Sequence, residues 1–215
     1  PFLKKLLEKH PEITTVVLNI NDRFGPVILG VREKVIYGSG YIEDVLCGKR
    51  FRISSRSFYQ INPVQTEKLY SAAIGLAGLT GNETVLDAYC GIGTIGLSAS
   101  DKAKQVIGVE INRDAVNDAI ANARLNGVKN CWFTVGDAGK YMEQMAADKV
   151  RPDVVFMDPP RAGSDERFLS SLLKCAPRRI VYISCNIDTQ RRDLDVLLSG
   201  GYKLRRIQPV DMFPY

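Results

Sequence analysis

Cys185 stands at the end of the apolar run Ile180-Val181-Tyr182-Ile183 and is flanked by Ser184 and Asn186. Such a run reads as a buried parallel strand, and small polar residues at its end mark the edge where open α/β sheets place their chemistry. A thiol there, partly exposed and beside helix N-termini, meets the conditions that favour thiolate. The competing reading is a small core residue, because cysteine is often buried. A second apolar run, Val154-Val155-Phe156-Met157, ends in Asp158-Pro159-Pro160-Arg161. In a parallel sheet its tip falls beside that of Cys185, so neighbouring strands deliver a carboxylate and a nucleophile to one crevice.

The elements that position these tips follow from periodicity. Strand patterns at Glu83 to Ala88, Gln105 to Glu110, Cys131 to Val135, Asp153 to Met157 and Arg179 to Ser184 alternate with helical patterns at Thr94 to Ala103, Arg113 to Asn126, Ala138 to Ala147 and Asp165 to Cys175. Strict alternation predicts right-handed crossovers and a parallel sheet covered on both faces, a Rossmann-like, doubly wound α/β fold. Asn62-Pro63 reads as the N-cap and first residue of a preceding helix, with Leu69, Ala72, Ala73, Leu76 and Leu79 on one face and Gly81 as its stop. A last helix is expected over Thr189 to Ser199 and a late strand over Tyr202 to Ile207.

Residues 1–56 follow another rhythm. A short helix with Phe2, Leu3, Leu6 and Leu7 on one side stops at His10-Pro11. Short β-rich runs follow at Ile13 to Ile20, Val27 to Val31, Lys34 to Tyr37, Tyr41 to Val45 and Arg50 to Ile53, split by Asn21-Asp22, Gly25-Pro26, Gly38-Ser39-Gly40 and Gly48. We expect a small, mainly antiparallel β unit over 1–56 and the main domain over 57–215.

The segment Val85-Leu86-Asp87-Ala88-Tyr89-Cys90-Gly91-Ile92-Gly93-Thr94 is a strand running into a glycine turn that opens a helix. Glycines such as Gly91 let backbone N–H groups approach a ligand closely. Glu110 closes the next strand, the place for an acid that grips ribose hydroxyls. The third glycine of G-x-G-x-x-G is missing, since Gly96 falls one residue early. That disfavours a pyrophosphate cofactor such as NAD and suits a nucleoside without phosphate, such as S-adenosylmethionine. Asp137, after the third strand, lies where an adenine amino group would be read, or else caps the next helix.

Composition sets the outer bounds. With 45% hydrophobic and 25% charged residues the chain is globular in type, and 29 Lys+Arg against 24 Asp+Glu give a net charge of +5, which suits a polyanionic partner. No run of 18 apolar residues occurs, so no membrane partner is expected, and the reading is a cytoplasmic protein and a monomer. The five cysteines, Cys47, Cys90, Cys131, Cys175 and Cys185, have no C-x-x-C spacing, and His10 is the one histidine. Neither a disulfide framework nor a metal site is expected.

Taken in order, the glycine turn, Glu110, Gly136-Asp137, Asp158-Pro159-Pro160-Arg161 and Ser184-Cys185-Asn186 resemble the class I S-adenosylmethionine-dependent methyltransferases. More narrowly, the chain resembles the RNA uridine-5-methyltransferase family, which makes 5-methyluridine in transfer and ribosomal RNA. Phe58-Tyr59-Gln60-Ile61-Asn62, the Asp-Pro-Pro-Arg tip, and the Ser-Cys-Asn tip followed by Asp211-Met212-Phe213-Pro214 carry that match. The resemblance implies that Cys185 adds to uracil carbon 6, turning carbon 5 into an enolate able to attack a methyl sulfonium. It implies that Gln60, Tyr89, Glu110 and Asp158 contact the cofactor and that RNA, ribosomal in preference to transfer, is the partner. Phe58 would pack against an extruded base, or simply fill the core; Arg161 would stabilise enolate charge or bind phosphate, or pair with the following helix.

One departure matters. The family supplies a glutamate several residues beyond Asp-Met-Phe-Pro to remove the carbon 5 proton, and here Tyr215 ends the sequence. The family's separate N-terminal RNA-binding domain is also not found, so the sequence reads as a fragment that binds cofactor without completing turnover. Three rivals stay open: an amino-methyltransferase using Asp-Pro-Pro, an RNA cytosine-5-methyltransferase, and a non-catalytic RNA-binding module built on pairs such as Arg191-Arg192 and Arg205-Arg206.

Overall fold

The computed structural model describes residues 2–22, 25 and 28–214. An exposed helix α1 (Phe2–Lys9) precedes two antiparallel pairs, β1 (Val16–Ile20) with β2 (Arg32–Tyr37) and β3 (Tyr41–Leu46) with β4 (Lys49–Ser54). The strand expected from Val27 to Val31 does not form over its described part, and pairing begins at Arg32; Pro26 and Val27 lie outside the described residues. Helix α2 (Pro63–Ala77) starts at an Asn62 cap whose side chain accepts from Gln65 N. It ends at Gly78 in the left-handed conformation, not at Gly81, because a glycine takes that backbone without strain.

The rest is a β-α alternation: β5 (Thr84–Ala88), α3 (Thr94–Ala99) with a short 3₁₀ turn, β6 (Gln105–Glu110), α4 (Arg113–Leu125), β7 (Cys131–Val135), α5 (Ala138–Ala147), β8 (Val154–Met157), α6 (Glu166–Cys175), β9 (Arg179–Tyr182) and α7 (Ile187–Ser199). The five parallel strands lie in the order β7-β6-β5-β8-β9. Chain order reverses between β5 and β8, and the crevice at such a switch point is where doubly wound sheets bind ligands. The fold is the expected doubly wound, Rossmann-like α/β arrangement.

Two cores flank the sheet. One gathers Val85, Ile92, Leu97, Val106 and Phe156 with Tyr70 and Ala73 of α2; the other gathers Leu86, Val155 and Met157 with Met142 of α5 and Phe168 and Leu172 of α6. Each Val, Leu, Ile, Phe or Met among them is worth about 1.5–3 kcal/mol when fully buried. The β3–β4 hairpin joins the first core through Leu46, Phe51 and Ile53, while every residue of β2 is exposed.

The free edge of β4 is covered by a helix. Along α4, Asn126 accepts from Arg50 N (2.8 Å) and donates to Arg50 O (2.6 Å), and Asn122 accepts from Arg52 N (2.7 Å) and donates to Arg52 O (3.2 Å). Asp118 accepts from Ser54 N at 3.1 Å. Alternate residues of a strand are about 6.6–6.8 Å apart and i, i+4 positions of a helix about 6 Å. Side chains spaced by four on α4 thus reproduce a neighbouring strand.

The late strand expected from Tyr202 to Ile207 is not formed. Tyr202 is fixed by its hydroxyl donating to Pro177 O at 2.7 Å, and Lys203 to Pro209 run on exposed. Leu204 and Ile207 are three residues apart, so they cannot share one face of a strand.

Candidate active site

All five strand tips point the same way, which lines up Asp137 after β7, Glu110 at the end of β6, Tyr89 and Gly91 after β5, Asp158 after β8 and Cys185 beyond β9. Gln60 comes to the same edge by another route. Arg179 at the start of β9 donates to Leu76 O and Ala77 O at the end of α2 (3.2 and 2.7 Å), and the Tyr70 hydroxyl meets Thr94 Oγ1 at the start of α3 (3.0 Å). Helix α2 therefore runs antiparallel to the sheet and sets its N-terminus beside the tips. Asn62 Nδ2 also donates to Met212 O at 3.0 Å, which brings Phe213 to the rim with Phe58 and Ile61, all three largely exposed. Phe58 is thus at the surface and not in the core.

The turn after β5 is strained. Tyr89 has φ 63°, a region that costs a residue with a side chain, and Gly91 and Gly93 follow at φ 54° and 83°. A Cβ at Gly91 would meet nothing within 4 Å, whereas one at Gly93 would lie 2.9 Å from the Phe133 ring. Gly91 borders open space; Gly93 serves packing. Glu110 stitches the turn to α4, Oε2 accepting from Gly91 N (3.1 Å) and Oε1 from Asn112 N (2.8 Å). Each carboxylate oxygen retains a lone pair for a further donor. The Tyr89 ring packs against Phe168 and its hydroxyl donates to Ser164 Oγ at 3.3 Å; burial pushes the phenol up to about 12.

Asp137 caps α5, Oδ1 accepting from Lys140 N at 2.9 Å, so the capping alternative is realised while Oδ2 has no hydrogen bond among the described residues. Asp158 is half-buried, has no hydrogen-bond or ion-pair partner among the described residues, and is pushed up to about 7 by loss of water. Beneath it lies a carboxylate the sequence reading passed over. Asp87 on β5 is fully buried; Oδ2 accepts from Gly96 N at 2.8 Å and Oδ1 is unpartnered. Burial raises it to about 7, the Gly96 N–H opposes that rise, and the charges of Asp158 and Glu110 add to it. An orphaned buried oxygen and a half-buried carboxyl pushed up in pKa make this edge a candidate ligand site.

Cys185 is the exposed member of the five cysteines; Cys90 and Cys175 are buried, Cys47 and Cys131 half-buried. It sits one residue before Asn186, the cap of α7, whose side chain accepts from Asp188 N and Thr189 N. Ser184 Oγ braces the turn, donating to Asn186 O (2.9 Å) and accepting from Asn186 N (3.1 Å). Strand β9 ends at Tyr182, two residues before the expected Ser184, because this Ser184–Asn186 turn already belongs to the helix entry. Arg161 is exposed, with its carbonyl accepting from Asn186 Nδ2 and Thr189 Oγ1.

Among the described residues no group of three or more His, Cys, Asp or Glu side chains is placed to hold a metal. No helix among them is long and apolar enough to cross a membrane.

Solved structures share this arrangement. The Pyrococcus abyssi tRNA (uracil-54, C5)-methyltransferase in complex with S-adenosyl-L-homocysteine superposes with a TM-score of 0.80 at 29% identity, covering 97% of this chain and 50% of that one. A SAM-dependent methyltransferase from Agrobacterium tumefaciens, 16% identical, shares the fold with a TM-score of 0.61 over 78% of this chain and 61% of its own. In sequence, uncharacterized RNA methyltransferases of Halalkalibacterium halodurans and Listeria innocua are each 51% identical over 100% of this chain and 48% of their own length. The chain thus spans about half the length of these relatives. The sequence model of one family, described as tRNA (Uracil-5-)-methyltransferase, matches residues 26–215. With that match across the glycine turn, the Asp158 tip and the Cys185 tip alike, the chain belongs to the tRNA (uracil-5-)-methyltransferase family.

Proposed function

We propose that this chain carries the catalytic part of an S-adenosylmethionine-dependent RNA methyltransferase that modifies carbon 5 of uridine. The observation that supports the reading is the parallel pairing of β8 with β9, which brings the half-buried Asp158 after β8 and the exposed Cys185 beyond β9 to the same C-terminal edge of the sheet. The crevice suits the nucleoside cofactor. Glu110 has lone pairs left for ribose hydroxyls, Asp137 Oδ2 for an adenine amino group, and the open side of Gly91 admits a close approach; Tyr89 and Gln60 flank the same space. Bound there, S-adenosylmethionine supplies a methyl group on a sulfonium, with S-adenosylhomocysteine as the product.

The chain's own groups do the rest. Cys185 adds as thiolate to carbon 6 of the uracil, and the electron pair of the 5,6 double bond moves to carbon 5 and its conjugated carbonyl. Asp158, near neutral in pKa, meets the methionine end and the base. Arg161, exposed beside the tip, faces developing enolate charge or phosphate. After methylation the carbon 5 proton must leave to a base, the pair left behind expelling the thiolate from carbon 6. We assign no residue of this chain to that base.

Ribosomal RNA is the substrate favoured by the resemblance as a whole; the solved relative that acts on tRNA supplies the alternative. The test is covalent trapping. The protein is mixed with S-adenosylmethionine and 5-fluorouridine-containing ribosomal or transfer RNA, and adducts are read on denaturing gels and by mass. Fluorine cannot leave as a proton, so the expected result is a stable adduct with wild type and none with Cys185→Ala. Measurable S-adenosylhomocysteine binding without any adduct on either RNA, even with the flanking segments of the longer relatives restored, would overturn the thiolate mechanism.

A further inference from the structure

The loop after Asp158 takes its backbone partners from one face of α7. Arg161 O accepts from Asn186 Nδ2 and Thr189 Oγ1 at 3.2 and 3.1 Å, and Ala162 O and Ser164 O accept from Arg192 Nη2 at 3.0 and 3.1 Å. Ser164 N donates to Asp193 Oδ2 at 2.8 Å. Asn186, Thr189, Arg192 and Asp193 follow helical spacing, so one stripe of side chains serves as the template for the loop. The approach is close: a Cβ on Gly163, itself at φ 78°, would come within 2.5 Å of Arg192 Nη2 and 2.8 Å of Asp193 Oδ2.

Asp193 is the hub. It is 0% exposed and also accepts from the Tyr182 hydroxyl at the end of β9 (2.7 Å) and from Arg192 Nε and Nη2 (2.9 and 2.6 Å). Through Ser164 Oγ, which accepts from the Tyr89 hydroxyl, the network reaches the turn after β5. The pair joins an exposed Arg192 to a buried Asp193, and an ion pair with a solvated member adds little stability that an apolar pair would not supply. What an apolar pair cannot supply is a fixed position for the carbonyls of Ala162 and Ser164 and the N–H of Ser164. The helix that makes these bonds is the one whose N-terminus carries Cys185.

We propose that Arg192 and Asp193 are positioning residues that hold the Asp158–Arg161 tip in register with Cys185. The proposal deepens the functional reading above and rests on it for the reaction concerned. If the loop drifts by an ångström while cofactor contacts persist, the reacting groups lose alignment, and such misplacement costs roughly a hundredfold in rate.

Three measurements on Asp193→Asn and Arg192→Met test this: amide hydrogen exchange over residues 161–164, the rate of adduct formation with 5-fluorouridine RNA, and affinity for S-adenosylhomocysteine. Both variants should exchange faster at Ala162 to Ser164 and trap RNA roughly a hundredfold more slowly, with cofactor affinity little changed. Arg192→Lys, which keeps one cationic donor, should recover part of the rate. Unchanged exchange would overturn the proposal, as would faster exchange with an unchanged trapping rate. A joint fall of cofactor affinity and trapping rate would reduce the pair to general support of the fold and also overturn it. Should wild type trap no RNA, the functional reading fails on its own, and exchange still decides whether the pair holds the loop.

Discussion

At the N-terminal ends of the parallel strands Glu83 accepts from the N–H groups of Thr80 (2.7 Å) and Asn82 (3.3 Å), from the Thr80 hydroxyl (2.8 Å) and from Arg178 (3.1 Å). The bonds from Thr80 lead in holding its carboxyl down to about 2, and burial opposes them. Nearby, Asp153 accepts from Thr84 N at 2.8 Å. At the C-terminal ends of the same strands Asp158 finds no donor, Asp87 finds one, and both rise to about 7. A carboxyl is stabilised as an anion at one edge, in Glu83, and destabilised as one at the other, in Asp87 and Asp158. One edge lowers the folded state's free energy; the other holds carboxyls left short of donors, the pattern expected of a functional edge.

The hardest test of that contrast is Asp158→Asn. We expect trapping of 5-fluorouridine RNA to fall roughly a hundredfold, the cost of losing alignment between the reacting groups. Stability should move the other way. A carboxyl raised from 3.8 to about 7 gives a contribution that is full below pH 3.8 and is lost as pH rises through 7. The variant lacks that loss, so its unfolding midpoint should exceed wild type at pH 8 and converge with it at pH 4. A lower midpoint at pH 8 would show that the edge is not strained.

Glu83→Gln should give the opposite profile. Its carboxyl is lowered from 4.5 to about 2, so its contribution is full above pH 4.5 and lost as pH falls through 2. Urea unfolding should find the variant less stable than wild type at pH 7 and the gap nearly closed at pH 2. A gap independent of pH would mean that shape, not charge, matters at this edge.

Asp137→Ala gives the smallest effect and sharpens the boundary between the two behaviours, since this residue is a helix cap at the ligand edge. Loss of the cap should cost about 1 kcal/mol by chemical denaturation. Loss of the free Oδ2 should weaken S-adenosylhomocysteine binding about tenfold by calorimetry, the equivalent of one hydrogen bond. Unchanged affinity would confine Asp137 to capping.

The sheet was legible in the sequence because buried parallel strands are unbroken apolar runs, and Val154 to Met157 or Val106 to Val109 admit no other reading at that length. Strand ends then announced the candidate site, since Glu110 and Asp158 are the first polar residues after such runs and Cys185 follows Ser184 at the end of another. Asp87, Asn122 and Asp193 were not legible. Their partners Gly96, Arg52 and Ser164 are 9, 70 and 29 residues away, and no period connects them. A weak signal did exist: Asp193 lies four residues before the buried Leu197, and Asp118 and Asn122 share the buried stripe of α4 with Ala115 and Ala119. A polar residue in an apolar stripe needs a buried partner. The late strand failed for the converse reason, since Tyr202 to Ile207 has β-forming residues but no ladder to join.

The strand-like face of α4 bears on the order in which the chain assembles. The edge of β4 finds its partners 64, 70 and 76 residues further along, with the whole of β5, α3 and β6 in between. The β3–β4 hairpin closes on itself early, yet its outer backbone stays in water until residues 118–126 exist as a helix. On a ribosome the hairpin waits with that edge unpaired through the synthesis of the glycine turn and Glu110. When it docks it engages a helix whose first turn directly follows the Glu110 strand end. The docking of the β3–β4 hairpin and the placing of the Glu110 strand end therefore depend on the same helix.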